Sequence, residues 1–494
     1  MRLSELLREA GLPAAASGTD PEINDIVSDS RRVRADSLFV CIRGLHHDAH
    51  AYLGEAIAAG ASAIVLEDKP SGELQLPVVC VRDTRAALAC LWDAFLGHPS
   101  AHMQLIAVTG TNGKTSVSRM LCAMFRASLW RTGLIGTVGC YSGDRLLAAT
   151  PEDPLANMTT PDPADLYRML AEMRDDGMEV VILEATSHAL ALGKLTPLRF
   201  AAGIFTNLTP EHLDFHGTME NYLAAKLKLF DACSLAIVNR DDPAWEQVAA
   251  AGAARVRTCS QQGEADYRAR EIVSCAADGI AYLLDARNAR FAVRSPIPGR
   301  FTVENSLLAA ACALEMGLSP IAVQDALCGL RSVAGRIERV ELPSHLPFSV
   351  FIDYAHTPDA LRNLLRTARD FRAGRERIVL LFGCGGDRDP SKRKPMGQIA
   401  SEMADFVIVT SDNPRSESPQ AIIRDILRGI DRERPHVVIE NRAEAIAYAI
   451  TSARAGDIIL LAGKGHEQYE ITAEGRRPFD EAALVRLAAA SYDG

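Results

Sequence analysis

The stretch Leu105–Ser116, LIAVTGTNGKTS, constrains this chain more than any other. The apolar run Leu105–Val108 reads as a buried strand, Val117–Ala127 reads as a helix, and Gly110 and Gly113 lie in the turn between them. Strand, glycine turn and helix in that order belong to an α/β fold. The same order points to an anion, because the N–H groups of such a turn and the helix N-terminus can cradle a polyphosphate. Gly110, Thr111, Asn112, Gly113 and Ser116 would form the cradle, Lys114 would reach the outer phosphates, and Thr115 would ligate Mg²⁺. The loop is compact: the usual pattern has a glycine five residues before Gly113, where this chain has Val108.

Other apolar runs are followed by polar clusters in the same way. They end at Glu184, Asn207 and Asn239, and later near Asp353, Gly383, Asp412 and Gly463, with amphipathic segments between them. This alternation predicts parallel α/β sheets, in which ligands bind beyond the carboxyl ends of the strands. Residues 256–293 break the rhythm with β-like alternation. A length of 494 residues fits about three domains. Pro99-Ser100 and Ala334-Gly335-Arg336 suggest boundaries giving units 1–100, 101–334 and 335–494. The expected architecture has a central parallel sheet of the P-loop type and a Rossmann-like C-terminal domain.

Composition narrows the function classes. A net charge of −10 argues against non-specific nucleic-acid binding, and no basic arm is visible. No run of about 18 apolar residues suggests a membrane span, and the charged N-terminal segment lacks a signal-peptide core. Eleven scattered cysteines without a CxxC pair fit reduced thiols in a cytoplasmic protein.

Glu184, His212 and Lys226 stand out in the middle unit. Glu184 ends an apolar strand, where a buried carboxylate needs a partner, and a cation at the phosphates would supply one. His212 follows another strand. Lys226, on a helix, reads by position alone as a solvated side chain.

VTGTNGKTS, EATSHAL, TNLTPEHLDFHGTMENYLAAK, DYAHTPDAL and GKGHEQYE occur in that order, and the set resembles the Mur ligases, ATP-dependent amide-forming enzymes of peptidoglycan synthesis. The resemblance runs from about residue 25 to 470. It implies that Thr115, Glu184 and His212 help hold Mg²⁺, and that Lys226 is carbamylated by CO₂ and supports the same metal site. It places Asn305, Arg336, Asp353 and His356 near the ATP, so that the third unit closes over the phosphate loop.

It also implies the two substrate ends. Ser28 and Ser30 of SDSRRV, with Leu45, His46 and His47, resemble a uridine-diphosphate pocket. Thr159 and Thr160 match the threonine pair that binds the muramoyl-peptide, joined by Thr186 and Lys194. Thr186-Ser187 stands for the usual serine pair, Leu192 for a commonly polar residue, and Lys194 for a common arginine. Lysine keeps the charge and loses the bidentate fork. Asp412-Asn413-Pro414-Arg415 is a good turn sequence and also the signature of family members that add meso-2,6-diaminopimelate. That amino acid carries one carboxylate more than lysine, which Arg415 can bind bidentately. Arg388, Gly463 and Glu467 complete the implied pocket, with Glu467 suited to an ammonium group.

The implied reaction activates the D-glutamate side-chain carboxylate of UDP-N-acetylmuramoyl-L-alanyl-D-glutamate as an acyl phosphate, which the diaminopimelate amine attacks. Lys114 would offset charge on the moving phosphoryl group. A monomer is expected. The competing readings are a lysine-adding or folylpolyglutamate-forming sister ligase, and a non-catalytic nucleotide-binding module.

Overall fold

In the computed structural model the apolar runs form three main sheets, of four, eleven and six strands. The description covers residues 1–494 except 17, 45–47, 69–73, 148–157, 275–278, 331–334, 371, 373, 375 and 493–494, and omits the side chain of Ser274. Leu45, His46 and His47 of the expected uridine pocket, and Ala334 of the expected hinge, therefore lie outside the described residues.

The first sheet is parallel and runs Asp25–Val27, Ser37–Val40, Ala61–Leu66, Val78–Cys80. In the eleven-stranded sheet, Gln104–Thr109 lies between Val180–Glu184 and Ala202–Phe205, parallel to both. Every residue of Val180–Glu184 is buried, as expected of a strand covered on both faces. Successive side chains divide between two cores: Leu105, Ala107, Val181 and Leu183 on one side, Ile106, Val108, Val180 and Ile182 on the other. Parallel pairing extends from Tyr267–Ser274 across to Thr132–Gly136. Both flanks turn antiparallel, through Ile280–Asp285 and Arg290–Ser295 at one edge and Gly139–Ser142 and Arg145–Leu146 at the other. The alternating stretch 256–293 supplies much of one flank. Its inward residues Tyr267, Ala269, Tyr282 and Leu284 join the core beneath the helix Arg300–Glu315.

The six-stranded sheet is parallel from Ser349–Asp353 through Ile458–Ala462, Ile378–Phe382 and Phe406–Val409 to His436–Val438, with the short antiparallel strand Glu338–Arg339 at its edge. A separate hairpin, Tyr469–Thr472 with Gly475–Pro478, follows. Two strands stop earlier than their apolar runs suggest, at Phe205 and at Val409. Asn207 and Asp412 thus sit in loops beyond the strand ends.

Candidate active site at the strand ends

The phosphate loop leaves the strand at Thr109, and the following helix begins at Lys114, three residues earlier than the apolar pattern indicates. Its two glycines are required by space as well as by conformation. At Gly110 (φ +145°) a Cβ would fall 1.9 Å from Thr206 Oγ1, and at Gly113 (φ +87°) 2.4 Å from Asn305 Oδ1. The close approach at Gly113 puts Asn305 at the mouth of the loop. The segment after the neighbouring strand clamps the turn. Thr111 N donates to Asn207 O at 2.8 Å, Asn112 N to Asn207 Oδ1 at 2.9 Å, and Thr206 Oγ1 to Asn112 O at 2.6 Å. A loop held this firmly is preorganised for an anion.

Lys114 Nζ donates to the carbonyls of Gly110 and Thr111 at 2.9 and 2.8 Å. Lys226, expected from position to be solvated, is instead 1% exposed, and its Nζ donates to Gly110 O at 2.9 Å. It lies 4.3 Å from the centroid of the Tyr222 ring and forms no ion pair among the described residues. Burial, and then the charge of Lys114, push the Lys226 amine well below the ordinary lysine value.

Glu184 is 1% exposed and ringed by hydroxyls and an amide. Thr115 Oγ1 donates to its Oε2 at 3.0 Å, Thr137 Oγ1 to Oε2 at 2.9 Å, and Thr137 N to Oε1 at 3.1 Å. Glu184 forms no ion pair with a lysine, arginine or histidine among the described residues. Thr115, Glu184, Lys114 and Lys226 thus converge around one loop. His212 stands beside this group without contacting Glu184: it has φ 56°, its ring packs edge-on to His188 at 4.6 Å, and its Nε2 lies 3.8 Å from Glu211 Oε2.

Glu211 also faces His356 of the third unit, at 3.8 Å. Burial pushes the Glu211 carboxyl up, but His212, Lys114, His356 and Lys226 together outweigh burial and hold it low. His356 bonds through Nδ1 to Tyr354 O at 2.8 Å, and burial pushes its ring down to about 4. Asn112 Nδ2 donates to Asp359 Oδ2 at 3.0 Å, so the third unit touches the phosphate loop directly. Asp353 spends both carboxylate oxygens on backbone, accepting from Ile337 N and Ala355 N at 2.8 Å each. It braces the turn that carries Arg336, whose guanidinium lies 5.0 Å from the Tyr354 ring centroid.

The threonine pair is tied to Glu184, Thr159 through Thr137 and Thr160 through the backbone. Thr159 Oγ1 bonds to Thr137 Oγ1 at 2.9 Å, and Thr160 Oγ1 donates to Glu184 O at 2.7 Å. Thr186 caps the short helix Ser187–Ala191 through Ala189 N. Lys194 is 7% exposed and already paired with Asp162 at 2.7 Å, so its charge is partly committed inside the protein. In the first unit Ser28 is exposed, and Ser30 opens a short 3₁₀ turn capped by Asp29.

In the third unit, Gly385–Arg388, Asp412–Arg415 and Gly463–Glu467 meet beyond their strands. Arg415, at φ 53°, donates through Nη1 to Gly386 O at 2.7 Å, and its N–H bonds to Ile471 O of the hairpin at 3.1 Å. Burial, then the neighbouring charge of Arg388, lower the Arg415 guanidinium. Neither arginine is in an ion pair among the described residues. Asp412 pairs with Lys464 at 3.3 Å, and Asn413 Nδ2 donates to Glu467 Oε2 at 2.8 Å. Burial, and then Asp412, push the Glu467 carboxyl up. Two neighbouring arginines outside any ion pair among the described residues, with the Glu467 carboxylate close enough to act on Arg415, suit a zwitterion with an additional acid group.

Thr137, Glu211, Tyr222 and Lys464 are site residues that sequence reasoning passes over. Thr137 follows a buried strand and Lys464 sits inside GKGHE, so position at a strand end was a usable signal for both.

The Mur ligase middle domain family matches residues 108–313, and the Mur ligase glutamate ligase domain family matches residues 335–465. The UDP-N-acetylmuramoyl-L-alanyl-D-glutamate–2,6-diaminopimelate ligase of Geobacillus kaustophilus (strain HTA426) is 42% identical over 481 residues, covering 95% of this chain and 96% of that protein. Ligase 1 of the same description from Clostridium acetobutylicum is 39% identical over 485 residues, 98% of each. A solved structure of a ligase of that description superposes with a TM-score of 0.70 at 30% identity, covering 99% of both chains. The MurF ligase of Thermotoga maritima in complex with ADP shares the fold, with a TM-score of 0.60 at 17% identity over 95% of this chain and 96% of its own.

Proposed function

The chain belongs to the Mur ligase family, and on that footing we propose how its residues divide the work of one ATP-driven ligase site. The protein joins meso-2,6-diaminopimelate to UDP-N-acetylmuramoyl-L-alanyl-D-glutamate in peptidoglycan precursor synthesis. In the proposed division, residues 1–100 hold the uridine nucleotide through Ser28 and Ser30, 101–334 hold ATP, and 335–494 hold the amino acid.

The phosphate loop binds the ATP phosphates through its N–H groups, and Lys114 turns from its carbonyl partners to the terminal phosphate. Asn305 borders the base, and Arg336 and His356 approach from the third unit. The chain's donors fit Mg²⁺: a buried carboxylate without a cationic partner, Glu184, lies against the Thr115 hydroxyl at a phosphate loop. Thr115, Glu184, His212 and a carbamate on Lys226 would hold the ion, which would draw charge from the phosphates. Lys226 fits that modification, since its amine is buried, held well below the ordinary lysine value and in no ion pair among the described residues, and an amine that has shed its proton can add to CO₂ with release of one more.

Transfer of the γ-phosphoryl group to the D-glutamate carboxylate leaves ADP and an acyl phosphate. Attack by the unprotonated diaminopimelate amine forms the amide and releases phosphate. Thr159 and Thr160 sit where the acyl substrate would meet the phosphate side, because Thr137 and Glu184 link them to Thr115. Positioning and charge stabilisation supply the catalysis.

The observation that carries the amino-acid assignment is the half-buried Arg415, in no ion pair among the described residues and close enough for its charge to act on Glu467, whose carboxylate Asn413 holds. Arg415 and Arg388 take the second carboxylate, Glu467 takes an ammonium group, and Asp412, Asn413, Pro414 and Gly463 form the walls. No helix among the described residues is long and apolar enough to cross a membrane. A cytoplasmic monomer is the working state in this reading.

The test is ADP release that requires both the acceptor nucleotide and diaminopimelate, measured beside Lys114→Ala. Loss of release in that variant supports the cradle role, and near-normal turnover refutes it.

A further inference from the structure

Lys464 is fully buried in the turn after the strand Ile458–Ala462, between Gly463 and Glu467 of the amino-acid pocket. Its Nζ donates to Asn413 Oδ1 at 3.0 Å and to Tyr469 O at 2.9 Å, and lies 3.3 Å from Asp412 Oδ1. Asn413 Oδ1 accepts a second bond, from Ile471 N at 2.9 Å. An ammonium and a backbone N–H can only donate, so the atom they share must be the carbonyl oxygen. The amide is therefore locked with Nδ2 toward Glu467, which it meets at 2.8 Å.

We propose that Lys464 is a positioning residue for amino-acid selection, acting through Asn413 to orient the Glu467 carboxylate toward the substrate's ammonium group. The inference rests on reading this pocket as the diaminopimelate site. Without the ammonium, Oδ1 keeps the single donor Ile471 N, and the amide is free to swing about that one bond and carry Nδ2 off its line to Glu467. The Glu467 carboxylate then loses a fixed donor and moves off its line.

The backbone around Lys464 has its own support, which separates positioning from folding. Arg442, 2% exposed and paired with Glu481 at 2.7 Å, donates to Ser411 O at 3.3 Å and Ala462 O at 2.9 Å. It pins the residues just before Asp412 and just before Gly463, a support for both loops that does not pass through Lys464.

The test is steady-state kinetics of the full-length enzyme with Lys464→Met, Glu467→Gln and the double variant, titrating diaminopimelate and ATP separately. The expected result is a rise of about tenfold in the diaminopimelate KM for Lys464→Met, the size expected on losing a hydrogen bond to a charged group. The ATP KM should stay within about twofold, because Lys464 contacts no part of the phosphate loop. The double variant should be no worse than Glu467→Gln alone. An unchanged diaminopimelate KM in Lys464→Met, or effects that multiply in the double variant, would overturn the inference. A Glu467→Gln enzyme with a normal diaminopimelate KM would instead overturn the pocket reading beneath it. If Lys464→Met does not fold, Asn413→Asp keeps both acceptor bonds and turns an oxygen onto Glu467. It should raise the same KM selectively, and a normal value would contradict the relay.

Discussion

Lys114 and Lys226 donate to one carbonyl oxygen, that of Gly110, at 2.9 Å each. Two cationic side chains sharing a single neutral acceptor in a buried site is an unfavourable arrangement unless one of them gives up its charge. Burial lowers both amines, and it holds Lys226 well below the ordinary lysine value, with the charge of Lys114 adding to the effect. A carbamate there would replace like-charge repulsion with attraction to Lys114.

Lys226→Ala should therefore lose activity by a factor of about 100 or more, in the range seen when a group stabilising transition-state charge is removed. Added formate or acetate should restore part of it by occupying the space of the carbamate. Turnover that stays near normal in the variant would contradict the role. Failure of every short carboxylate to rescue would count against the carbamate as the active form.

Arg415→Lys keeps the charge and loses the planar fork. The diaminopimelate KM should rise by about tenfold or more, while the ATP KM changes by less than about twofold. Equal changes in the two constants would remove Arg415 from amino-acid selection.

The site was partly legible in the chain. Glu184, Asp353 and Asp412 follow apolar runs, and a carboxylate at the carboxyl end of a buried parallel strand is conspicuous from spacing alone. Lys226 was legible only through the family resemblance. Its helix, Met219–Leu227, is weakly amphipathic, so neither period nor propensity says that Lys226 and Tyr222 share the buried face. Thr137 and Glu211 escaped because their roles come from long-range contacts, Thr137 with Glu184 and Glu211 with His356. Lys464 escaped for a related reason, since its partner Asn413 belongs to a different strand's loop. The antiparallel flank was visible as alternation in 256–293, but not its attachment to the parallel sheet, which depends on pairing between Cys259-Ser260 and Tyr267-Arg268.

Glu304 gives a pH prediction independent of catalysis. Burial pushes its carboxyl up to about 7, and Asp241 and Asp242 add to this against hydrogen bonds from Asn207 and Asn239. The folded chain therefore holds a proton between the ordinary glutamate value and about 7 that the unfolded chain has released, so stability falls as pH rises through that window. Glu304→Gln removes the titration. Its thermal stability relative to the parent should improve between pH 5 and pH 8, by on the order of 1–3 kcal/mol. A difference that is the same at both pH values would contradict the assignment.

A third unit that selects an amino acid with a second carboxylate discriminates between diaminopimelate and lysine in direct competition. The most direct measurement offers the enzyme Mg·ATP, UDP-N-acetylmuramoyl-L-alanyl-D-glutamate, and equal concentrations of meso-2,6-diaminopimelate and lysine, and weighs the products. The diaminopimelate adduct is expected in at least about tenfold excess over the lysine adduct. Equal amounts, or an excess of the lysine adduct, would contradict it.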